Sequence, residues 1–295
     1  MSIINAQSFA ALPLSKKTNK PVIHFAHANG IPSQVYQAFF AELEAFFTIE
    51  YIAMLGNHPD YPVDNHWRSL TQQVVDSVKA TCEDHQVSQV VAVGHSLGAM
   101  CTLQALYRAP QYFNQAVLMD PPWLYGKISL LWHLAKTTDR LPLMNHRLMD
   151  KLSPAGISKK RRDVWESRED AHDKLRGKGF FKHFDERSFE GYIEHGLHQR
   201  ADGKVTLAIP KASEVAVFRT NPSLYWLTPN HSPKPPVTLI IGEDSIFLKR
   251  KFPQQIKARL GISYQTHKGG HMFPLEHPES VSAQVLEVIA QQLAL

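Results

Sequence analysis

Residues Gln89 to Met100, reading Gln-Val-Val-Ala-Val-Gly-His-Ser-Leu-Gly-Ala-Met, constrain this chain more than any other stretch. Val90 to Val93 is a short β-branched run suited to a buried strand. Leu97, Met100, Leu103, Leu106 and Tyr107 follow at helical spacing. Only a strand, a sharp bend and a helix satisfy both periodicities, and the bend is Gly94-His95-Ser96-Leu97-Gly98. That is a G-x-S-x-G nucleophile elbow in the strand-to-helix setting that gives the motif its meaning. Side chains at Gly94 or Gly98 would collide with neighbouring backbone. The bend holds Ser96 in a strained conformation and pushes its hydroxyl out at the end of the sheet. The Leu97 amide opens the next helix, so it lacks an intrahelical acceptor and can face developing negative charge.

The chain alternates around this unit. Lys20 to His27 reads as a buried strand and ends in the turn-rich His27-Ala28-Asn29-Gly30-Ile31-Pro32. Ser33 is positioned to cap a helix through about Phe47, with Val35, Phe39, Phe40, Leu43 and Phe46 on one face. Thr48 to Leu55 is the next strand, and Trp67, Leu70, Val74, Val75, Val78 and Cys82 mark one face of the next helix. Phe113 to Met119 is a strand that stops at Asp120-Pro121-Pro122. Repeated strand–helix alternation implies a parallel sheet with right-handed crossovers.

From about Trp123 to His231 the alternation stops. The pattern turns helical and irregular, with one short extended piece at Gly203 to Ile209, and a proline-rich linker from Pro229 to Pro236 leads back. Alternation resumes with a strand at Val237 to Ile241, a helix near Arg250 to Leu260, a strand at Ile262 to Thr266 and a helix from Pro278 to Leu293. The expected organisation is an α/β core from residues 1–121 and 232–295, interrupted by a helical cap, or lid, at 122–231.

Composition narrows the class. With 43% hydrophobic and 20% charged residues, the chain has the make-up of a soluble globular protein. No run of 18 apolar residues occurs, so no membrane span is expected. The start, Met1-Ser2-Ile3-Ile4-Asn5, lacks the basic and apolar regions of a signal peptide, which makes a cytoplasmic location the expectation. Cys82 and Cys101 fall on apolar helix faces and read as small buried hydrophobes. The net charge is +5, and the cluster Lys159-Lys160-Arg161-Arg162 is soon followed by Asp163, Glu166, Glu169 and Asp170. That mixture reads as a solvated face and not as a nucleic-acid surface.

A serine hydroxyl needs a base beside it near neutral pH, and histidine suits the task. Of 16 histidines, His271 is selected by position. It lies in Lys268-Gly269-Gly270-His271-Met272-Phe273-Pro274, a loop after a predicted strand, and parallel sheets place their chemistry beyond such strand ends. An acid should orient that imidazole. Two candidates stand open: Asp120, ending the strand after the elbow helix, and Asp244, in Ile241-Gly242-Glu243-Asp244-Ser245 beyond the insert. The loop His27-Ala28-Asn29-Gly30 offers a second backbone amide, assigned to Asn29, to join that of Leu97 in an oxyanion hole.

With these motifs in place, the chain resembles the α/β-hydrolase superfamily over nearly its whole length outside the insert. The resemblance rests on His27-Ala28-Asn29-Gly30, Gly94-His95-Ser96-Leu97-Gly98, Leu118-Met119-Asp120-Pro121, Ile241-Gly242-Glu243-Asp244 and Gly269-Gly270-His271-Met272-Phe273-Pro274. It implies a mostly parallel sheet with flanking helices and a helical cap inserted between the sixth and seventh strands. The commoner family pattern after the seventh strand is Gly-x-x-Asp, whose fourth position is here Ser245. In extended chain a one-residue slip reverses the side-chain direction. Some members place the acid after the sixth strand, where Asp120 stands, so the resemblance favours Asp120 over Asp244. Branches with dehalogenase or epoxide-hydrolase chemistry use an aspartate nucleophile, which Ser96 does not match.

The expected function is therefore a serine hydrolase of an ester or related acyl bond, acting on a small molecule with an apolar acyl part. The same triad would serve a carbon–carbon bond hydrolase, an acyltransferase or a cofactor-free perhydrolase, and a non-catalytic ligand-binding member is the alternative outside enzymology. No cofactor and no metal are expected. Glu194-His195-Gly196-Leu197-His198 lacks a second ligand set at metal-site spacing, and Gly177-Lys178-Gly179 has no P-loop frame. Trp123, Trp132, Trp165, Phe180, Phe181 and Trp226 read chiefly as the apolar interior of the insert.

Overall fold

The alternating segments form one parallel sheet. The computed structural model describes residues 4–141, 146–224 and 231–294. Strands β1 (Val22–Ala26), β2 (Thr48–Tyr51), β3 (Val90–His95) and β4 (Phe113–Met119) come before the insert. Helices α1 (Gln37–Leu43), α2 (Arg68–His85) and α3 (Leu97–Arg108) connect them. The insert holds helices α4 (Lys127–Thr138), α5 (Arg147–Leu152), α6 (Ala155–Lys160), α7 (Arg168–Leu175), α8 (Glu186–His195) and α9 (Lys211–Thr220), and strands β5 (Val164–Trp165), β6 (Leu197–Gln199) and β7 (Val205–Leu207). After it come β8 (Val237–Gly242), α10 (Ile246–Lys249), α11 (Phe252–Leu260), β9 (Ser263–His267), α12 (Phe273–Glu276) and α13 (Pro278–Leu293). The six-stranded sheet runs β2-β1-β3-β4-β8-β9, every pair parallel.

Successive strand residues point to opposite faces, so each central strand feeds two cores. Ile23, Phe25, Val91, Val93, Val117 and Ile240 join Phe39, Phe40, Val285 and Ile289 on the α1 and α13 side. Val22, Ala26, Val90, Ala92, Leu239 and Ile241 join Val74, Val78, Leu103 and Ile256 on the α2, α3 and α11 side. Both cysteines are buried and unpaired.

Three expectations change in detail. Ser33 does not cap the helix after β1. Its hydroxyl donates to the Ile52 carbonyl at 2.6 Å, and the segment begins as a 3-10 turn, Ser33–Tyr36, before α1. The extended piece expected at Gly203 to Ile209 is β7, and it pairs with two further strands, β5 and β6, in a small antiparallel sheet. Strands of two and three residues are too short to leave a period in the sequence, so β5 and β6 were not foreseen. The insert leaves the sheet between its fourth and fifth strands in chain order, β4 and β8. This is the family's sixth-to-seventh gap only if two further strands are counted before β1, where the described chain has a 3-10 turn, Ala6–Phe9, and a single bridge from Leu14 to Pro21.

The second half of the insert is part of the α1-side core and not a separate body. Trp165, Phe181, Phe184, Phe189, Tyr192 and Leu197 share that cluster with Val35, Tyr36 and Phe39. On the other side, the Trp67 indole donates to the Val217 carbonyl of α9 at 3.1 Å. Trp123 is buried and Phe180 is exposed, whereas Trp226 and the first two linker residues, Pro229 and Asn230, lie outside the described residues.

Three histidines are fully buried beside the sheet as neutral rings. His24 bonds Ser77 of α2 through Nε2 at 2.8 Å. His27 donates from Nδ1 to the Ala28 carbonyl at 2.7 Å and accepts the Leu55 amide at Nε2 at 2.5 Å. His95 accepts the Tyr36 hydroxyl at Nδ1 at 2.7 Å and donates from Nε2 to the His271 carbonyl at 2.8 Å. Burial is the first cause that pulls His24 and His27 down to about 4 and His95 to about 3, with the nearby His271 adding to the effect at His95. In the unfolded chain such rings titrate near ~6.5. Between that value and about 4 the unfolded state binds more protons, so stability is intact above about pH 6.5 and is lost as pH falls through the window. The melting temperature should fall continuously from about pH 7 to about pH 4.5. A melting temperature that stays level over that range would contradict the burial of three neutral rings.

Candidate active site

The elbow is the point where three elements crowd together. Ser96 sits at φ 52°, ψ −112°, between the end of β3 and the start of α3. A Cβ on Gly98 would lie 2.0 Å from the Ala26 carbonyl oxygen of β1, and one on Gly94 would lie 2.7 Å from Ala99 Cα. No side chain fits at either position, so the strand and helix can pack this closely only with glycine there. The Ser96 amide donates to the Met119 carbonyl of β4 at 2.9 Å, and the Gly98 amide donates to the His27 carbonyl after β1 at 3.0 Å. Both neighbouring strands therefore hold the bend.

The residues expected to act together do converge. His271 Nε2 lies 2.8 Å from Ser96 Oγ, although 175 positions separate them in sequence. His271 Nδ1 lies 2.5 Å from Asp120 Oδ2. Ser96 is 8% exposed and Asp120 is completely buried, while the His271 side chain is about one-third open to solvent. The Phe247 ring stands edge-on to the imidazole at 5.7 Å.

Asp120 is held as firmly as Ser96. It also adopts a positive φ, 43°, and its amide donates to the Ile240 carbonyl of β8. Its Oδ1 accepts the Gly242 amide at 3.3 Å, and its Oδ2 accepts the Ser245 hydroxyl at 2.7 Å. The other sequence candidate, Asp244, points away. Its side chain is 77% exposed and its nearest cation is Lys249 at 4.0 Å. Only the backbone of Asp244 serves the loop, by donating to the Gly269 carbonyl at 3.0 Å.

The histidine loop owes its position to close backbone approach. A Cβ on Gly242 would lie 2.3 Å from the Gly270 carbonyl oxygen. The Gly270 amide donates to Glu276 Oε2 at 3.0 Å, and Gly269 takes φ 114°, which favours glycine. Beneath the loop, the Ala28 amide donates to the Tyr36 hydroxyl at 3.3 Å, and that hydroxyl donates to His95, whose other nitrogen holds the His271 carbonyl. A chain of buried hydrogen bonds thus joins the loop after β1 to the loop after β9.

Leu97 heads α3, and the loop carrying Asn29 leaves β1, the strand paired with β3. The two predicted amides therefore belong to neighbouring strand ends. The Asn29 side chain donates to the Glu214 carbonyl of α9 at 3.1 Å, which ties this loop to the insert. Glu214 is itself buried. Its carboxylate accepts from Ser158 at 2.7 Å and faces Arg161 Nη2 at 3.0 Å, at an angle that makes an ion pair but no hydrogen bond.

Ser245, Tyr36, His95 and Glu276 were not singled out from the sequence as site residues. Ser245 had a signal, because it occupies the fourth position of the Gly-x-x-Asp pattern. Tyr36 had none, since a tyrosine on an apolar helix face reads as core. Of the 194–198 segment, no residue belongs to the one group of potential metal ligands found among the described residues, His172, Glu186 and Glu190 on the surface of α7 and α8. Glu186 of that group is engaged by Arg176 at 2.6 Å.

Residues 25–284 match the model of the alpha/beta hydrolase family. No curated protein matches the sequence at a significant level. Among solved structures, the fold is similar to that of E-2-(acetamidomethylene)succinate hydrolase, at 16% identity over 94% of this chain and 93% of that one, with a TM-score of 0.69. It is also similar to the thioesterase domain from the curacin biosynthetic pathway, at 16% identity over 93% of each chain and a TM-score of 0.65. A marine microorganism esterase aligns at 14% identity over 93% of this chain and 97% of that one, with a TM-score of 0.62. With a family match over most of its length and the same fold in these structures, the chain belongs to the alpha/beta hydrolase family.

Proposed function

We propose that the protein is a serine hydrolase that cleaves an ester or related acyl bond through an acyl-enzyme. The observation that carries this reading is the unbroken hydrogen-bonded line from Ser96 Oγ through His271 to Asp120. Ser96 Oγ attacks the acyl carbon while His271 Nε2 takes its proton. The carbonyl oxygen gains the negative charge and is held by the amides of Leu97 and Asn29. Collapse of the adduct breaks the bond to the leaving group, which leaves with the proton from His271. A water molecule, deprotonated by His271, then attacks the acyl carbon and restores free Ser96 with release of the acid. Asp120 keeps the Nδ1 proton in place and stabilises the imidazolium formed in each step.

Residues 122–231 are read as a cap over this site. The bond from Asn29 to Glu214 supports that role, since it places the insert against the loop proposed to hold the oxyanion. The curacin thioesterase domain and the marine esterase bear names for acyl-bond cleavage, and they set the first substrates to try. A small-molecule ester or thioester with an apolar acyl part fits the proposal.

A fluorophosphonate should add covalently to Ser96, seen as a mass increase in the intact protein that is absent from Ser96→Ala. The same variant should lose at least ~10³-fold in kcat on any p-nitrophenyl ester that the wild type turns over. An unmodified mass after prolonged treatment, or a Ser96→Ala enzyme as active as the wild type, contradicts the assignment.

The acid is tested separately. Asp120→Asn should lower kcat by roughly 10⁴-fold, because an amide no longer enforces the required tautomer. Asp244→Asn should leave kcat within about twofold, as expected of an exposed side chain away from the chemistry. The reverse ranking in steady-state assays would return the role to Asp244.

A further inference from the structure

The first half of the insert differs physically from the rest of the molecule. Residues 127–162, which contain α4, α5 and α6, hold nine Lys and Arg against two Asp, a formal +7, whereas the whole chain carries +5. The two acids are occupied. Asp139 accepts the Leu148 and Met149 amides at 2.9 Å, and Asp150 is clamped by Arg219 through two bonds of 2.8 and 2.9 Å. The acids that follow the run Lys159–Arg162 in sequence make their ion pairs with other cations. Asp163 pairs with Lys211, Glu166 with Lys204 and Asp170 with Lys174. Lys127, Arg140, Arg147, Lys151, Lys160 and Arg162 are exposed and form no ion pair among the described residues. The run is a solvated face at Lys159, Lys160 and Arg162, as the sequence suggested, but the acids just after it do not supply its ion pairs.

The same segment is apolar where it meets solvent. Of the nine large hydrophobic side chains exposed among the described residues, Leu130, Leu131, Leu134, Leu141, Leu152 and Ile157 lie here, with Leu131 at 64% and Ile157 at 78%. Lys127, Leu130, Leu131 and Leu134 follow i, i+3, i+4, i+7 spacing, so they form one outward stripe on α4. The opposite face of α4 sends Ile128 and Trp132 toward the core and buries Ser129. Helix α4 packs on α5 and α5 on α6, so the three helices are contiguous.

We propose that this basic and apolar face docks on a lipid bilayer that carries anionic headgroups. A surface of this kind offers a negative layer for the cations and, just beneath it, acyl chains for the leucines and Ile157. The charge sets aside the other occupants of an apolar patch. Two copies of a face that carries six exposed, unpaired cations repel each other, which disfavours self-association. A nucleic acid would match the cations but not six protruding aliphatic side chains, since it is bound through phosphate contacts and aromatic stacking. The inference does not depend on the chemistry at Ser96. Docking here would place the first half of the insert at the edge of an apolar phase.

Co-sedimentation with phosphatidylcholine vesicles, with and without phosphatidylglycerol, tests the proposal on the full chain. The protein should pellet with the anionic vesicles, stay in solution with the neutral ones, and be released by high salt. Arg147→Gln and Lys151→Gln should each weaken the partition by about fivefold, the effect of one cation near a charged surface. Leu131→Ser combined with Leu134→Ser should weaken it at least as much, with melting temperature and fluorophosphonate labelling measured alongside to show that the fold and site persist. Failure to bind the anionic vesicles overturns the proposal, as does equal binding to both kinds or wild-type binding by all the variants. A dimer in light scattering that the double leucine variant abolishes would identify the face as a contact between copies instead.

Discussion

The approach of helix α3 to strand β1 is the constraint on which the site depends. Gly98 stands so close to the Ala26 carbonyl that no side chain fits between them. This closeness forces the bend at Ser96 into a conformation that costs on the order of 1–3 kcal/mol in isolation. The surrounding strands hold it there. Met119 of β4 accepts the Ser96 amide, and His27 after β1 accepts the Gly98 amide. The strained serine is therefore a property of the strand order β1-β3-β4, in which the elbow strand has a parallel neighbour on each side. An edge strand would supply one of those acceptors and lose the other.

The same logic applies one strand further on. Asp120 also departs from ordinary backbone geometry, and its carboxylate is fully buried. A buried carboxylate needs hydrogen-bond donors. It receives the Gly242 amide, the Ser245 hydroxyl and the imidazole of His271. Ser245 occupies the position where the commoner family pattern carries the acid. Here a neutral donor stands at that position, and the carboxylate it bonds comes from the end of the strand before the insert. Asp244, one residue earlier, faces the opposite way in the turn and reaches solvent.

What could be read from the sequence follows from how local each feature is. The elbow is legible because its strand, glycines and helix are contiguous, and the apolar faces of α2 and α13 are legible because their periods run for several turns. Pro278–Leu293 and the burial of Trp67, Leu70, Val74 and Cys82 were foreseen for that reason. The choice between Asp120 and Asp244 was not local. Both follow strands, and only the pairing of β4 with β8 decides which carboxylate meets His271. The link from Tyr36 through His95 to the His271 carbonyl was invisible, because it joins three segments distant in sequence by polar atoms on residues that also suit a core. Strands β5 and β6 were too short to produce a pattern, so of the small sheet only the piece around β7, within Gly203 to Ile209, was read as extended.

The insert itself divides where its packing changes. From Val164 to Leu207 its buried apolar residues, among them Trp165, Phe189, Tyr192 and Leu197, belong to the core beneath α1 and α13, whereas Val217 of α9 joins the opposite core. That half can separate from the sheet only by opening the principal hydrophobic cluster. Residues 127–162 contribute no buried member to either core cluster among the described residues, and only Ile128 and Trp132 lean on one. The two halves meet along α9 through several polar contacts: Ser158 and Arg161 of the first half converge on Glu214, Asp150 is clamped by Arg219, and the buried Lys136 ammonium donates to the Asn221 carbonyl. The backbone of Glu214 in turn holds the Asn29 side chain. Helix α9 therefore links α4–α6 to the loop after β1, held on one side by Asp150 and Ser158 and on the other by Asn29. Glu214 is the most direct polar connection in that linkage, since among the described contacts it alone bonds both to that half of the insert and to the loop of Asn29.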